Sequence, residues 1–310
     1  MQYCAVYINQ GLNAHREAFS PAIIIEELLL QRFLHTLPMA EGHTKLKKDD
    51  YKFLEKYLDA TKANLFFARS VIIVEGPGEA LLLPTIAKLL GRNFTDFGTS
   101  LVDVRSTGLR RYAGIFQRVD GDTLLDIKVA CVTDRDIMPD CAPHICINDE
   151  YTLDPTSWPK KKYRNWRAEA DFTPEEAASH IKDIKQKADG QQVLTFVADH
   201  WTLEYDLAFA GLQYTNMKGA LIKAIVKVSY VEKNWVDKIK SITADIDKLP
   251  TLEEKSSYFY NFFAGKIASK ADFAQQFAFE LEETFTGKLE ELNEALPSYL
   301  VEAIKYVTEE

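Results

Sequence analysis

Cysteine is scarce in this chain, with four in 310 residues, at Cys4, Cys131, Cys141 and Cys146. Thiols this sparse do not build a disulfide scaffold, so the reduced state is expected. Cys141, His144 and Cys146 crowd together and Cys131 can join them, but the paired C-x-x-C spacing of a structural zinc site is missing. They read as loop and core thiols. Long apolar runs are missing too: none approaches the roughly 20 residues of a membrane span. The opening MQYCAVYINQ lacks the basic-then-apolar plan of a secretion signal. Together these absences predict a cytoplasmic protein with no membrane partner. Positive charge is not in surplus either, with 46 acids against 37 bases and a net charge of -9, which argues against a surface coated in phosphate-binding cations. No internal repeat, low-complexity tract or Gly-Lys-Ser/Thr sequence occurs, which excludes a P-loop nucleotide site.

What is present is apolar mass. A hydrophobic content of 46% with 12% aromatics supports a large core, in one large or two ordinary domains. Helical spacing runs through PAIIIEELLLQRFLHTL and DDYKFLEKYLDATKANLFFA, so residues 1–68 read as a helical lead-in. From Arg69 the pattern alternates: strand 71–74, helix 79–90, strand 100–104, helix 109–118, strand 127–132. Such alternation implies a parallel sheet with crossover helices. Residues 137–192 read as loop with one helix over 174–188, where Thr173-Pro174-Glu175-Glu176 supplies an N-cap, a proline at the first position and first-turn acids. QVLTFVADHWTLEYDLAFA adds a strand and a helix. Beyond Lys218 the period is helical, broken near Leu249-Pro250 and Leu296-Pro297.

Carboxylates stand at two strand ends. VIIV runs into Glu75-Gly-Pro-Gly-Glu79, and KVACVT runs into Asp134-Arg-Asp136. In a parallel sheet both ends open on the same edge, where ligands of α/β sheets gather. Four carboxylates drawn together there repel one another unless some stay protonated or a cation neutralises them. Oxygen-only ligands select hard ions such as Mg²⁺ or Mn²⁺, and two such ions serve phosphodiester cleavage. A dinucleotide fingerprint would need a glycine where Leu81 stands. The bland alternative is that these acids cap a helix and a strand.

One segment reverses the overall charge. Between Pro155 and Ala168 there is no acid, while Lys160, Lys161, Lys162, Arg164 and Arg167 are interleaved with Trp158, Tyr163 and Trp166. Cations contact phosphate and rings stack on bases, so this stretch is the candidate nucleic-acid contact, set against a solvated basic loop.

The Glu-Gly-x-x-Glu turn after one strand and Asp-x-Asp after another resemble the topoisomerase-primase (Toprim) domain. LDATKANLFFARSVIIVEGPGEALLLP, VTDRD, WTLEYDLA and KADFAQQFA narrow the resemblance to the C-terminal half of OLD-family (overcoming lysogenization defect) nucleases, discontinuously over residues 55–285. The resemblance implies an α/β fold of Toprim type, Rossmann-like, its mostly parallel sheet flanked by helices and carrying an inserted helical domain. Residues 69–214 would form the first part of the catalytic domain, 215–262 the insertion, and 263–310 the helices that complete it. It also implies a DNA endonuclease using two Mg²⁺ or Mn²⁺ ions. Glu75, Glu79, Asp134 and Asp136 match the acidic motifs, Lys270 matches a lysine that steadies transition-state charge, and Glu204 matches a further metal or supporting ligand. Lys266 is a nearby competitor for the lysine role. The family usually places an ATPase module before this region; here a helical lead-in stands instead, so any ATPase partner lies outside this sequence. A Toprim ribonuclease or other phosphotransfer enzyme would share the acids, and a non-catalytic nucleic-acid-binding module would not need them. A topoisomerase would need a nucleophilic tyrosine, and none of the 14 tyrosines has a recognisable setting.

Overall fold

The structure, a computed structural model, describes residues 5–6, 37–58, 62–105, 108–121, 124–147 and 151–309. The lead-in helix expected over 21–37 and Cys4 lie outside the described residues, apart from Leu37, which pairs as a strand. Ala5–Val6 and Leu37–Pro38 form a two-residue antiparallel pairing.

β-branched residues dominate the sheet strands because both sheet faces are covered. The strands are β1 (Ser70–Val74), β2 (Thr99–Asp103), β3 (Lys128–Thr133) and β4 (Val193–Val197). All neighbours pair in parallel, in the order β2-β1-β3-β4. The fold is therefore α/β, a parallel sheet flanked by helices. Strand alternation sends Val71 and Ile73 to one core and Ile72 and Val74 to the other.

The first face is covered by α1 (Lys48–Tyr57) and α3 (Leu109–Gly114), through Leu54, Tyr112 and Ala113. The second face is larger. It takes α2 (Pro77–Leu89), α5 (Leu203–Gly211), α6 (Thr215–Ser229), α9 (Lys270–Phe285) and α10 (Ser298–Val307). α9 lies against α2 and α6, and α10 lies against β1, β3 and β4. α4 (Pro174–Gln186) packs beside β4, while α7 (Trp235–Lys248) and α8 (Leu252–Ala264) extend the helical side. Among the described residues no helix is long and apolar enough to cross a membrane.

The strands shift by a residue from the sequence reading, and the helices differ more at two boundaries. α2 begins at Pro77 rather than residue 79, with Gly76 as its N-cap, because proline suits the first helical position, where its missing N–H costs nothing. α3 stops at Gly114 rather than 118. The breaks expected near Pro250 and Pro297 fall between α7 and α8 and just before α10.

Candidate active site

The chain passes from β1 to β2 on one side and then returns to place β3 on the other side of β1. That reversal opens a crevice at the carboxyl ends of β1 and β3, the position where open α/β sheets take ligands. Glu75 follows β1 directly and Asp134 follows β3 directly.

Glu79 sits at the third position of α2 and is buried. A Cβ on Gly76 would stand 3.2 Å from its Oε2, so the glycine leaves room for this carboxylate to fold back over the helix start. Asp136 lies beyond β3 and is exposed, at a left-handed φ of 60°. It therefore does not continue the strand's side-chain phase, yet its charge acts on both Glu75 and Asp134.

Two further groups arrive from the second face. Glu204, in the first turn of α5, is only 3% exposed, and its Oε2 lies 2.7 Å from Nζ of Lys270. Lys270 opens α9 and is 44% exposed at its side chain. Its ammonium also stands 5.4 Å from the Tyr260 ring centroid. Lys266, in the turn before α9, is exposed at a φ of 55°.

Electrostatics binds these residues into one group. Burial pushes the Glu75 carboxyl up; a hydrogen bond from Thr133 opposes the shift and Asp136 adds to it. Burial, reinforced by Glu204 and Glu75, pushes Glu79 up to about 7 against the pull of its own backbone N–H and of Lys270. Asp134 is driven well above the usual carboxylate range by burial, with Lys270 opposing and Glu79, Glu204 and Asp136 adding. Burial works against the Lys270 charge, but Glu204, Tyr260 and Asp134 together overcome it and hold the ammonium above its ordinary value. The arrangement is an over-supply of buried negative charge, opposed by Lys270 and, at Glu75, by Lys187.

A hard divalent ion fits that donor set, since carboxylate oxygens suit Mg²⁺ or Mn²⁺ and a cation would relieve the repulsion. In the arrangement seen here the oxygens are not already closed on one point. Among the described residues no group of three or more His, Cys, Asp and Glu side chains stands ready to hold an ion, and Glu204 is turned to Lys270 instead.

Residues 66–136 match the model of the overcoming lysogenization defect protein-like TOPRIM domain. These residues are an OLD-like Toprim domain. The match covers β1, α2, β2 and β3, and ends on Asp136. The chain is also similar to the C-terminal region of the Burkholderia pseudomallei OLD protein, with a TM-score of 0.44 and 21% identity over 78% of this chain and 98% of that one. For the C-terminal region of the Xanthomonas campestris pv. campestris OLD protein the TM-score is 0.43, with 20% identity over 79% and 95% of the two chains. No curated protein matches the sequence.

Beside the Toprim crevice, the basic-aromatic segment is built differently from its sequence reading. Trp158 and Trp166 are buried, packed edge to face at 5.3 Å, and join Trp201 and Tyr205 in a small core. They are not free to stack on bases. Arg164 is also withdrawn: its guanidinium makes a two-pronged pair with Asp171, at 2.5 and 3.0 Å, and lies 4.2 Å from the Trp166 ring centroid. Arg167 donates to the carbonyls of Arg164 and Trp166. Those two arginines hold the segment together. Lys160, Lys161, Lys162 and Tyr163, the last 72% exposed, remain on the surface. Lys161 also donates to the Asp171 carbonyl at 2.9 Å. The segment is tied to the crevice, because Met138 N donates to the Arg167 carbonyl at 3.1 Å and Glu169 N to the Met138 carbonyl at 3.0 Å, two residues beyond Asp136.

The thiols are likewise occupied. Cys131 is buried in β3, while Cys141 and Cys146 bond to the hydroxyl and carbonyl of Ser257.

Sequence reasoning missed two residues beside the site. Tyr260 is brought in by α8, and its phenol is pushed up by burial and by Glu204 and Asp134, with Lys270 opposing. Asp206 is 1% exposed and holds the turn before α5. Its signal was present: a second acid two residues after Glu204, on the other side of a helix whose surroundings are apolar.

Proposed function

We propose that this nuclease-family Toprim module is a metal-dependent DNA endonuclease. The reading is carried by one observation, the convergence of Glu75, Glu79, Asp134, Asp136 and Glu204 with Lys270 at the crevice between β1 and β3. Glu75, Glu79, Asp134 and Asp136 would hold the ions, Mg²⁺ or Mn²⁺ and two in number, with Glu204 as a further ligand. Bound there, such ions supply an activated water and the charge that stabilises the leaving oxygen.

The chain's own residues supply the rest. Lys270 aims a fixed ammonium at the crevice, where the extra negative charge of a five-coordinate phosphate would develop, so its contribution belongs to the transition state more than to binding. Lys160, Lys161 and Lys162 contact backbone phosphates away from the chemistry, as point charges on a module tethered next to Asp136. The catalytic domain is formed by residues 69–214 and 263–310, with 215–262 as a helical insertion that reaches the site through Tyr260. Any ATPase domain would lie outside these 310 residues, on the same polypeptide or on another.

The test is supercoiled plasmid incubated with the protein and Mg²⁺, Mn²⁺ or EDTA, with structured and single-stranded RNA in parallel. Nicking or linearisation that needs the metal and vanishes in Glu75→Gln supports the reading. Cleavage of RNA alone would move the assignment to a ribonuclease. Binding without any cleavage, unaffected by Glu75→Gln, would make the module a non-catalytic one.

A further inference from the structure

Between β4 and α5 the chain makes a turn, residues 198–202, that carries no charge matched to a substrate yet is fastened on every side. Asp206, buried one turn into α5, accepts from the backbone N–H of His200 at 3.2 Å through both oxygens and from that of Trp201 at 3.1 Å. The Trp201 carbonyl in turn accepts from Arg135 N at 2.9 Å, and the Asp199 carbonyl from the Arg135 guanidinium at 2.9 Å. Arg135 lies between Asp134 and Asp136. The turn then delivers α5, whose first residue, Leu203, donates its N–H to Oδ1 of Asp134 at 3.1 Å.

We propose that Asp206 is a positioning residue for Asp134: by pinning the 199–202 turn it holds the Leu203 N–H on one carboxylate oxygen, so that the other faces the crevice. The inference rests on the reading of Asp134 as a metal ligand. The physical basis is that a carboxylate has two equivalent oxygens and free rotation about its last bond. A single fixed donor on Oδ1 removes that freedom and pre-orients Oδ2. Groups that orient a ligating carboxylate in this way typically change metal affinity by about tenfold to a hundredfold when removed. Burying a carboxylate such as Asp206 is costly unless its oxygens are occupied, and here they are spent wholly on backbone N–H groups of the turn. Among the described residues no hydrogen bond joins its side chain to the crevice acids.

Leu203 offers an unusually clean probe. It is the first helical residue, where proline is favoured, and the preceding Thr202 has φ -126° and ψ 167°, the extended conformation that a following proline requires. Leu203→Pro therefore deletes the N–H given to Asp134 while the helix start is kept. Leu203→Ala keeps that N–H and loses more of the buried side chain.

The experiment is direct Mn²⁺ titration by electron paramagnetic resonance on the full chain, wild type against Leu203→Pro, Leu203→Ala, Asp206→Ala and Asp206→Asn, each with its thermal unfolding curve. Leu203→Pro and Asp206→Ala should weaken Mn²⁺ binding about tenfold or more, and Asp206→Asn, which retains one acceptor oxygen, should recover part of the loss. Leu203→Ala should bind within about twofold of wild type although it melts lower. A merely structural role for the turn predicts the opposite ordering, with affinity following stability. Equal Mn²⁺ affinity in Leu203→Pro and Leu203→Ala would overturn the proposal, and that pair decides the matter even if Asp206→Ala fails to fold. Wild-type protein that binds no Mn²⁺ would overturn both this proposal and the metal reading beneath it. Wild-type binding with unchanged variants would overturn this proposal alone.

Discussion

Removing Lys270 tests the electrostatics of the crevice independently of catalysis. In Lys270→Ala the Glu204 carboxylate, 3% exposed, loses an ammonium 2.7 Å away and is left facing Glu79 and Asp134. Breaking a fully buried pair by deleting one partner costs about 3–5 kcal/mol. Because the lysine is 44% exposed, solvent screens part of the pair and the expected loss falls to about 1–3 kcal/mol. At about 2 °C per kcal/mol for a chain of this size, the melting temperature should drop by roughly 2–6 °C. Glu204→Gln alone should cost less, since it also removes one of the mutually repelling acids. The double variant should recover most of the Lys270→Ala loss, giving a coupling energy of at least about 0.5 kcal/mol in a double-mutant cycle. The assay is urea or thermal unfolding of the four proteins in EDTA, followed by the same series with Mn²⁺, which should stabilise Lys270→Ala more than wild type if the ion replaces the lost cation. Additive single variants, with no coupling, would mean that the pair does not hold the crevice together in solution. In the cleavage assay Lys270→Ala should bind DNA almost normally and cut at least about a hundredfold more slowly.

Glu75→Gln and Asp134→Asn should each abolish plasmid cleavage with no loss of metal-free stability, because each removes charge from a repelling cluster without changing side-chain volume; wild-type cutting rates with Mn²⁺ would take that residue out of the site. Replacing Lys160, Lys161 and Lys162 by Ala should weaken DNA binding and reduce the salt slope by up to about 0.9 per lost phosphate contact, as read from binding isotherms across salt concentrations. Arg164→Ala should instead lower stability by about 2–4 kcal/mol in urea unfolding, since it strands the nearly buried Asp171. Asp50, 2% exposed, supplies a pH dependence: despite its burial, bonds from Arg110, the Lys47 N–H and Arg111 hold its carboxyl down at about 2. Its contribution is present in full above the unfolded value near 4 and is lost as pH falls through about 2. At pH 7 Asp50→Asn should thus cost about 1–2 kcal/mol after allowance for the partly exposed arginines, and the gap to wild type should close on acidification.

The strand ends were legible because a strand buried on both faces leaves no alternation to misread. Val71-Ile72-Ile73-Val74 and Val129-Ala130-Cys131-Val132 could be little else, and the acids at their ends followed. Lys270 was legible only by resemblance, since nothing in the period of α9 separates it from any solvated lysine. The segment over 155–168 was misjudged in part because a stretch without a regular period gives no sign of which side chains turn inward. Trp158, Trp166 and Arg164 form a local core that composition alone presents as a binding surface. Tyr260 and Asp206 were missed for a related reason: each acquires its role from contacts across elements, the one through Lys270 and the other through a turn it does not belong to.

The first residue of the central strand is fastened to the far end of the chain. Ser70 Oγ donates at 2.6 Å to the carbonyl of Val307, 237 residues later, and Thr99 at the matching position of β2 reaches the same carbonyl at 3.3 Å. Contacts closing loops of that length form late, because the entropy of closure is spent before they repay anything. β1, β3 and their carboxylates come from a stretch of chain that can collapse early, whereas Lys270, whose charge acts on Glu79 and Asp134, waits for α9. A stage is therefore expected in which the β1 and β3 acids are assembled and Lys270 is not yet in place. During synthesis and refolding that stage should be marked by acid-dependent yield, with divalent ions or mildly low pH hastening the docking of the last helices.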